Sequence, residues 1–73
     1  MFSFSMIDYV QVSDVEIRAF TRIGRKPLGM VGRRPGAEGY LFYARNPDGE
    51  RGGTFGRRDD LEEAKQALEQ ATQ

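Results

Sequence analysis

A turn motif between two strand-forming segments is the feature that most limits the fold of this chain. Residues 46–49 read NPDG, which places proline at the second position of a β-turn and glycine where a positive φ is needed. The preceding segment, 40–45, reads YLFYAR and is rich in aromatic residues, which favour strands. Residues 50–58 form the return arm. The pattern predicts a β-hairpin.

The pairing within this hairpin depends on the type of turn. A type I turn with a bulge at Gly49 pairs Leu41 with Phe55, and it places Tyr43 on one face with three arginines. Those arginines are Arg45, Arg51 and Arg57. A tight two-residue turn pairs Tyr40 with Phe55 instead. The glycines of the return arm are compatible with either register, because they often mark bulges.

The first half of the chain gives weaker strand signals. Residues 15–23 alternate apolar and polar side chains, which indicates a half-buried strand. In residues 2–12, apolar side chains fall mainly on alternate positions, as in a strand, but Asp8 interrupts the alternation. This suggests a bent or bulged strand or a frayed terminus. Residues 24–39 contain five glycines and two prolines. We therefore predict a long, mobile, basic loop there, around one short strand at 28–31.

The last segment of the chain has the features of a helix. Asp60 suits the N-cap position, and Glu63 follows three residues later as in a capping box. Apolar residues then recur at helical spacing, namely Leu61, Ala64, Leu68 and Ala71. The predicted fold class is α+β: a three- or four-stranded antiparallel sheet with one C-terminal helix packed on one face, in a single domain over residues 1–73.

Composition excludes most catalytic chemistry. The 73 residues include no Cys and no His, so the chain lacks thiolates, the commonest metal ligand and the usual proton shuttle near neutral pH. Its serines therefore have no histidine base to activate them. We predict a binding protein that is not an enzyme and uses no cofactor or metal. The N-terminus has no basic region and no apolar run near ~18 residues, so we expect a cytoplasmic protein without a membrane span.

Charge is distributed unevenly along the chain, although 11 basic and 11 acidic residues balance overall. Residues 1–17 carry three acids and no base, and residues 59–73 carry five acids and one base. Residues 18–58 carry ten bases and three acids. Nine of the eleven bases are arginine, which makes bidentate contacts with phosphate, carboxylate or guanine. The basic middle segment predicts an acidic partner, unless the acidic ends fold back and neutralise it.

Arginines alternate with aromatic residues in the predicted hairpin and just before it. This mixture suits phosphate contacts from the arginines and stacking or groove contacts from the strands, although a solvated arginine rim around core aromatics gives the same pattern. The candidate binding residues are Arg33, Arg34, Tyr43, Arg45, Arg51, Arg57 and Arg58.

The order of these elements resembles that of a known domain: an aromatic strand, a turn, a return strand that ends in a basic dipeptide, and a helix with an acidic cap. Residues 33–71 are similar to the arm-type DNA-binding domain at the N-terminus of phage tyrosine integrases. The resemblance implies a sheet that enters the major groove and basic residues that hold the DNA backbone. It also implies a leading basic arm at Arg33 and Arg34, a sheet surface at Tyr43, Arg45 and Arg51, and a phosphate clamp at Arg57 and Arg58.

Two functions therefore remain open. The first is a module of phage or mobile-element type that binds nucleic acid through the basic aromatic hairpin. Transcription regulation is the role expected of such a module. The second is a small protein-binding regulator that docks on an acidic surface, such as a component of host RNA polymerase, through its N-terminal strand or its arginines. The zero net charge favours the second function. Neither involves a small-molecule substrate.

Overall fold

The fold consists of an antiparallel sheet with one helix packed against it. The structure is a computed structural model, and it describes residues 6–34, 36–46 and 52–72. Those ranges contain five strands and one helix: β1 (Ile7–Ser13), β2 (Glu16–Thr21), β3 (Pro27–Gly32), β4 (Tyr40–Arg45), β5 (Gly53–Arg58) and α1 (Leu61–Ala71). Each strand pairs with the next one along the chain, so the sheet order is β1-β2-β3-β4-β5. The predicted α+β class is confirmed.

The predicted number of strands was wrong, because the segments 2–12 and 24–39 each contribute a strand, β1 and β3, that is paired in the sheet. The segment expected to be mainly loop contains β3, which is the central strand of the sheet. Gly29 suits this position, since a side chain there would collide with the backbone of Tyr43 on the adjacent strand. β1 has a register irregularity between Gln11 and Ser13, as expected for a bulged strand. The start of the predicted N-terminal segment, residues 2–5, lies outside the described residues.

Neither predicted register of the hairpin is the observed one. Tyr43 pairs with Phe55, and Arg45 pairs with Gly53, so β5 starts later than the NPDG turn implied. Gly52, which directly precedes β5, has a φ of 93°, a conformation outside the extended region. The turn itself, residues 47–51, lies outside the described residues. The observed register keeps Tyr43 on one face with two of its three predicted arginines, Arg45 and Arg57.

Helix α1 begins where the sequence predicts, although its cap differs from the expected one. Asp60 is the N-cap residue, but its side chain makes no capping hydrogen bond. Ala64 and Leu68 of the predicted apolar stripe are fully buried, and Ala67 is buried beside them. Glu62 and Glu63 lie in the first turn, where the positive end of the helix dipole stabilises them.

The helix packs close to the sheet because the side chains between them are small. Among the described residues, four of the seven buried apolar ones are alanines. The others are Val31, Phe42 and Leu68. Gly56 leaves room for the ring of Phe42, since a Cβ atom at Gly56 would lie 2.6 Å from that ring. This core lies over β3, β4 and β5.

A tyrosine connects the helix to the far strand of the sheet. The hydroxyl of Tyr9, on β1, donates a hydrogen bond of 2.7 Å to Oε2 of Glu69. The ammonium group of Lys65 lies 4.9 Å from the centre of the Tyr9 ring. Burial, followed by the Glu69 carboxylate, raises the pKa of Tyr9 well above its ordinary value. Tyr9 therefore holds β1 against α1 in its neutral form.

Among the described residues, no helix has the length and apolar character needed to cross a membrane.

Candidate functional site

The helix covers one face of the sheet and leaves the other uncovered. Successive residues of a strand point to opposite faces, and paired residues on adjacent strands point to the same face. Since Ala19, Val31 and Phe42 are buried under the helix, their neighbours along each strand point away from it. We call this second surface the open face. Its members are Asp8, Val10, Glu16, Arg18, Phe20, Met30, Leu41, Tyr43, Arg45, Phe55 and Arg57.

One row of side chains crosses the open face from strand to strand. Paired in turn along the sheet, its members are Val10, Arg18, Met30, Tyr43 and Phe55. The row ends at Phe55, on the outer strand β5. This side chain is the most exposed of the row, at 74%. With Leu41, which is 40% exposed on the same face, Phe55 contributes accessible apolar surface to the hairpin.

Tyr43 and Phe55 form a ring pair at this end of the row. Their ring centres are 4.6 Å apart, and the ring planes are inclined at 41°. The hydroxyl of Tyr43 donates a hydrogen bond of 2.9 Å to the backbone oxygen of Gly52. That bond holds the Tyr43 ring in place and already uses its only donor.

Two of the predicted arginines flank this ring pair on the open face. Arg45 precedes the loop after β4 and is exposed, and no ion pair of Arg45 occurs within the described parts of the chain. Arg57 lies two residues beyond Phe55 on β5. Its guanidinium donates a 3.0 Å hydrogen bond to the backbone oxygen of Glu38 and lies 3.2 Å from an Asp59 carboxylate oxygen. Because Asp59 is almost fully exposed, this ion pair is weak.

The other predicted site residues lie elsewhere. Arg58 extends over the ring of Phe42, on the face that carries the helix, with 5.3 Å between the guanidinium carbon and the ring centre. Arg33 lies 5.8 Å from the ring centre of Tyr40, which packs against the core. Arg34 is exposed in the segment after β3. Arg51 lies outside the described residues.

The predicted clamp of Arg57 and Arg58 therefore does not form a single surface. Adjacent strand residues point to opposite faces, and the two guanidinium groups accordingly lie on opposite sides of the sheet.

The arginines of the β1–β2 half have nearby acidic partners. Arg18 lies 2.9 Å from Glu16, and Arg22 and Arg25 both contact Asp8, at 3.4 and 2.9 Å. Arg25 also lies 5.3 Å from the centre of the Phe20 ring. The charges and the aromatic ring of this half are thus engaged within the molecule.

Sequence reasoning missed the part of the row outside the hairpin. The alternation of residues 15–23 did indicate that Arg18 lies on the polar face of its strand. No local signal aligned Val10, Arg18 and Met30 with Tyr43, because that alignment depends on the registers of three separate strand pairs. Phe55 was recognised as an aromatic of the hairpin but not as its most exposed ring.

Comparisons of the chain with protein families, with curated proteins and with solved structures found no match.

Proposed function

We propose that this protein binds nucleic acid on the β4–β5 half of the open face. The observation that carries the proposal is the Tyr43–Phe55 ring pair, which lies between two arginines and over which no described strand or helix packs. Exposed aromatic rings on a sheet stack with bases, and arginines beside them bind the phosphates. The resemblance to an arm-type DNA-binding domain also implies a nucleic-acid ligand on this hairpin, although in the groove of a duplex.

The spacing of the two arginines suits an extended polyanion. Arg45 and Arg57 lie at diagonally opposite corners of the ring pair, since one pairs with Gly53 and the other with Leu41. Their backbones are separated by four residues along the strand direction, or about 13 Å. A nucleic-acid strand that crosses the ring pair therefore places a phosphate near each arginine.

The distribution of charge favours the same orientation. The helix, on the covered side of the sheet, carries Glu62, Glu63 and Glu69 against a single base, Lys65. Lys65 lies 3.7 Å from Glu62 and is partly neutralised by it. The acidic helix repels phosphates, while the β4–β5 half of the open face attracts them.

Charge reversal provides the test. We expect Arg45→Glu to weaken the binding of a fluorescent oligonucleotide at least tenfold at low salt, because it replaces a phosphate contact with a repulsion. Fluorescence anisotropy titrations measure the affinity. Lys26→Glu is the matched control, since Lys26 is exposed in the turn between β2 and β3, away from the open face. Equal affinities for the two variants and the unmodified chain would contradict the proposal.

Salt dependence gives a second readout of the same contacts. With two or three phosphate contacts, the affinity is expected to fall roughly tenfold between about 50 and 200 mM salt. Arg45→Glu should also reduce the slope of this dependence, whereas Lys26→Glu should leave it unchanged.

A protein partner is the second candidate function, and apolar exposure on the same face supports it. Leu41 is 40% exposed and Val10 is 36% exposed, and neither offers a group that binds phosphate. An acidic protein surface with apolar residues at its centre would fit both side chains and the arginines. Leu41→Ala separates the two functions, because it weakens a protein contact but leaves the affinity for an oligonucleotide within about twofold.

A further inference from the structure

We propose that the ligand of the open face is single-stranded nucleic acid and that it does not bind as a duplex. This inference rests on the proposed function and specifies its substrate class. It follows from the width of the sheet, from the chemistry of the ring pair and from the carboxylates on the open face.

The open face is wider than a DNA groove. Five strands lie side by side, and adjacent strands are separated by about 4.8 Å, so the outer strands are about 19 Å apart. The major groove of B-DNA is about 12 Å wide and admits a helix or a two-stranded ribbon. A face made of β4 and β5 alone fits that groove. The strands β1 and β2, which continue the same sheet, would meet the DNA backbone.

The carboxylates on the β1–β2 half add to this obstruction. Asp8 and Glu16 both lie on the open face. A duplex placed face-on against the sheet would bring its phosphates close to them. Arg22 and Arg25 pair with Asp8, and Arg18 pairs with Glu16, so each of these arginines already has a carboxylate partner. A flexible single strand avoids this half by following β4 and β5.

The ring pair has the chemistry of a stacking site and lacks the chemistry of a groove reader. Base edges in a groove are read by hydrogen-bond donors and acceptors, and Phe55 has neither on its side chain. The Tyr43 hydroxyl donates its proton to the backbone oxygen of Gly52, which leaves only its oxygen as a possible acceptor. What both residues present is an aromatic ring, and a base can stack on a ring only when it is not already stacked within a duplex.

A tryptophan reporter tests the inference directly, because the chain contains no tryptophan. The variant Phe55→Trp places an indole at the exposed end of the row, where a stacked base quenches its fluorescence. Ile23→Trp is the matched control, because Ile23 is 77% exposed but lies in the turn after β2. Both variants are titrated with DNA and RNA oligonucleotides of roughly 12 nucleotides, a length within the usual site sizes. The DNA duplex of the same sequence is titrated in parallel.

We expect the single strands to quench Phe55→Trp and to leave Ile23→Trp unchanged, with at least tenfold weaker binding of the duplex by anisotropy. The DNA and RNA arms show which sugar the site prefers. Duplex binding that is as tight as single-strand binding would overturn this inference and leave the proposed function standing. Absence of binding by every oligonucleotide at low salt would overturn the proposed function as well.

Discussion

The two faces of the sheet are built from alternate residues of the same strands, yet they have opposite properties. The covered face carries small residues such as Ala19 and Ala44, which are completely buried. Their small size lets the helix lie close to the sheet. The open face carries large residues such as Tyr43 and Phe55, and nothing in the described structure packs over them. One face therefore provides the stability of this protein, and the other is available for a ligand.

The comparison also shows how narrow the basis of that stability is. Within the described part of the chain, only Leu68 and Val31 combine a large side chain with complete burial. A domain of this size buries only about 60% of the surface that its unfolded chain exposes, so few residues provide the folding free energy. Substitutions on the covered face should therefore change stability, and those on the open face should change binding.

The largest expected effect is on the covered face. Leu68→Ala should lower the free energy of unfolding by about 2–5 kcal/mol, because it leaves a cavity between the helix and the sheet. Leu41→Ala removes the same atoms from the open face and should cost less than about 1 kcal/mol. Urea denaturation followed by circular dichroism measures both. Similar losses for the two variants would mean that the faces do not differ in this way.

Enlarging a side chain under the helix should have the next largest effect. Ala64 is completely buried, so Ala64→Leu is expected to cost about 1–3 kcal/mol, because the helix has to move away from the sheet. Gln66→Leu, on the exposed surface of the same helix, is the control and should change the stability by less than about 0.5 kcal/mol. Unchanged stability in Ala64→Leu would show that the helix is not closely packed.

On the open face, the effects on binding and stability should separate. Phe55→Ala is expected to weaken oligonucleotide binding by about 1–3 kcal/mol, or roughly 5- to 150-fold, because a stacking surface is lost. Its unfolding free energy should fall by less than about 1 kcal/mol, since the ring is largely exposed and loses only its pairing with Tyr43. Anisotropy and urea titrations on one preparation check both values. Ile23→Ala, equally exposed but off this face, should alter neither.

The smallest effect is expected where β1 meets the helix. Tyr9→Phe removes the hydrogen bond to Glu69 and should lower the unfolding free energy by about 1 kcal/mol, without a change in binding. Because the folded state raises the pKa of Tyr9, the contribution of its hydroxyl is complete below the ordinary tyrosine pKa of about 10 and decreases as the pH rises above it. The stability difference between the unmodified chain and Tyr9→Phe should therefore shrink above pH ~10. A constant difference up to pH ~11 would contradict this role of Tyr9.

Local patterns predicted the elements of the fold better than their arrangement. The turn at residues 46–49 and the aromatic segment before it predicted the hairpin, and the acidic cap at Asp60 predicted where the helix begins. The central strand β3 was placed within a loop, because its glycines lower strand propensity. In the folded protein, Gly29 meets the adjacent strand where no side chain fits, so tertiary packing outweighs that propensity.

The candidate site was predicted in part, for the same reason. Tyr43, Arg45 and Arg57 share a face, as alternation within a hairpin requires. Arg58 was placed beside Arg57 because the two are adjacent in sequence, but adjacent strand residues point to opposite faces. The pairing of Tyr43 with Phe55 differs from both registers that the turn motif predicted, because the turn motif did not specify where β5 begins.

The amino-acid sequence alone determined that this chain lacks histidine and cysteine chemistry, that it forms a hairpin followed by a helix, and that its positive charge lies in the middle segment. These properties depend on composition and on patterns within a few residues. The tertiary structure decided which face the helix covers, which arginines have acidic neighbours and which aromatic rings are exposed. Those properties depend on strand registers between residues far apart in the chain, and local preferences do not specify such registers.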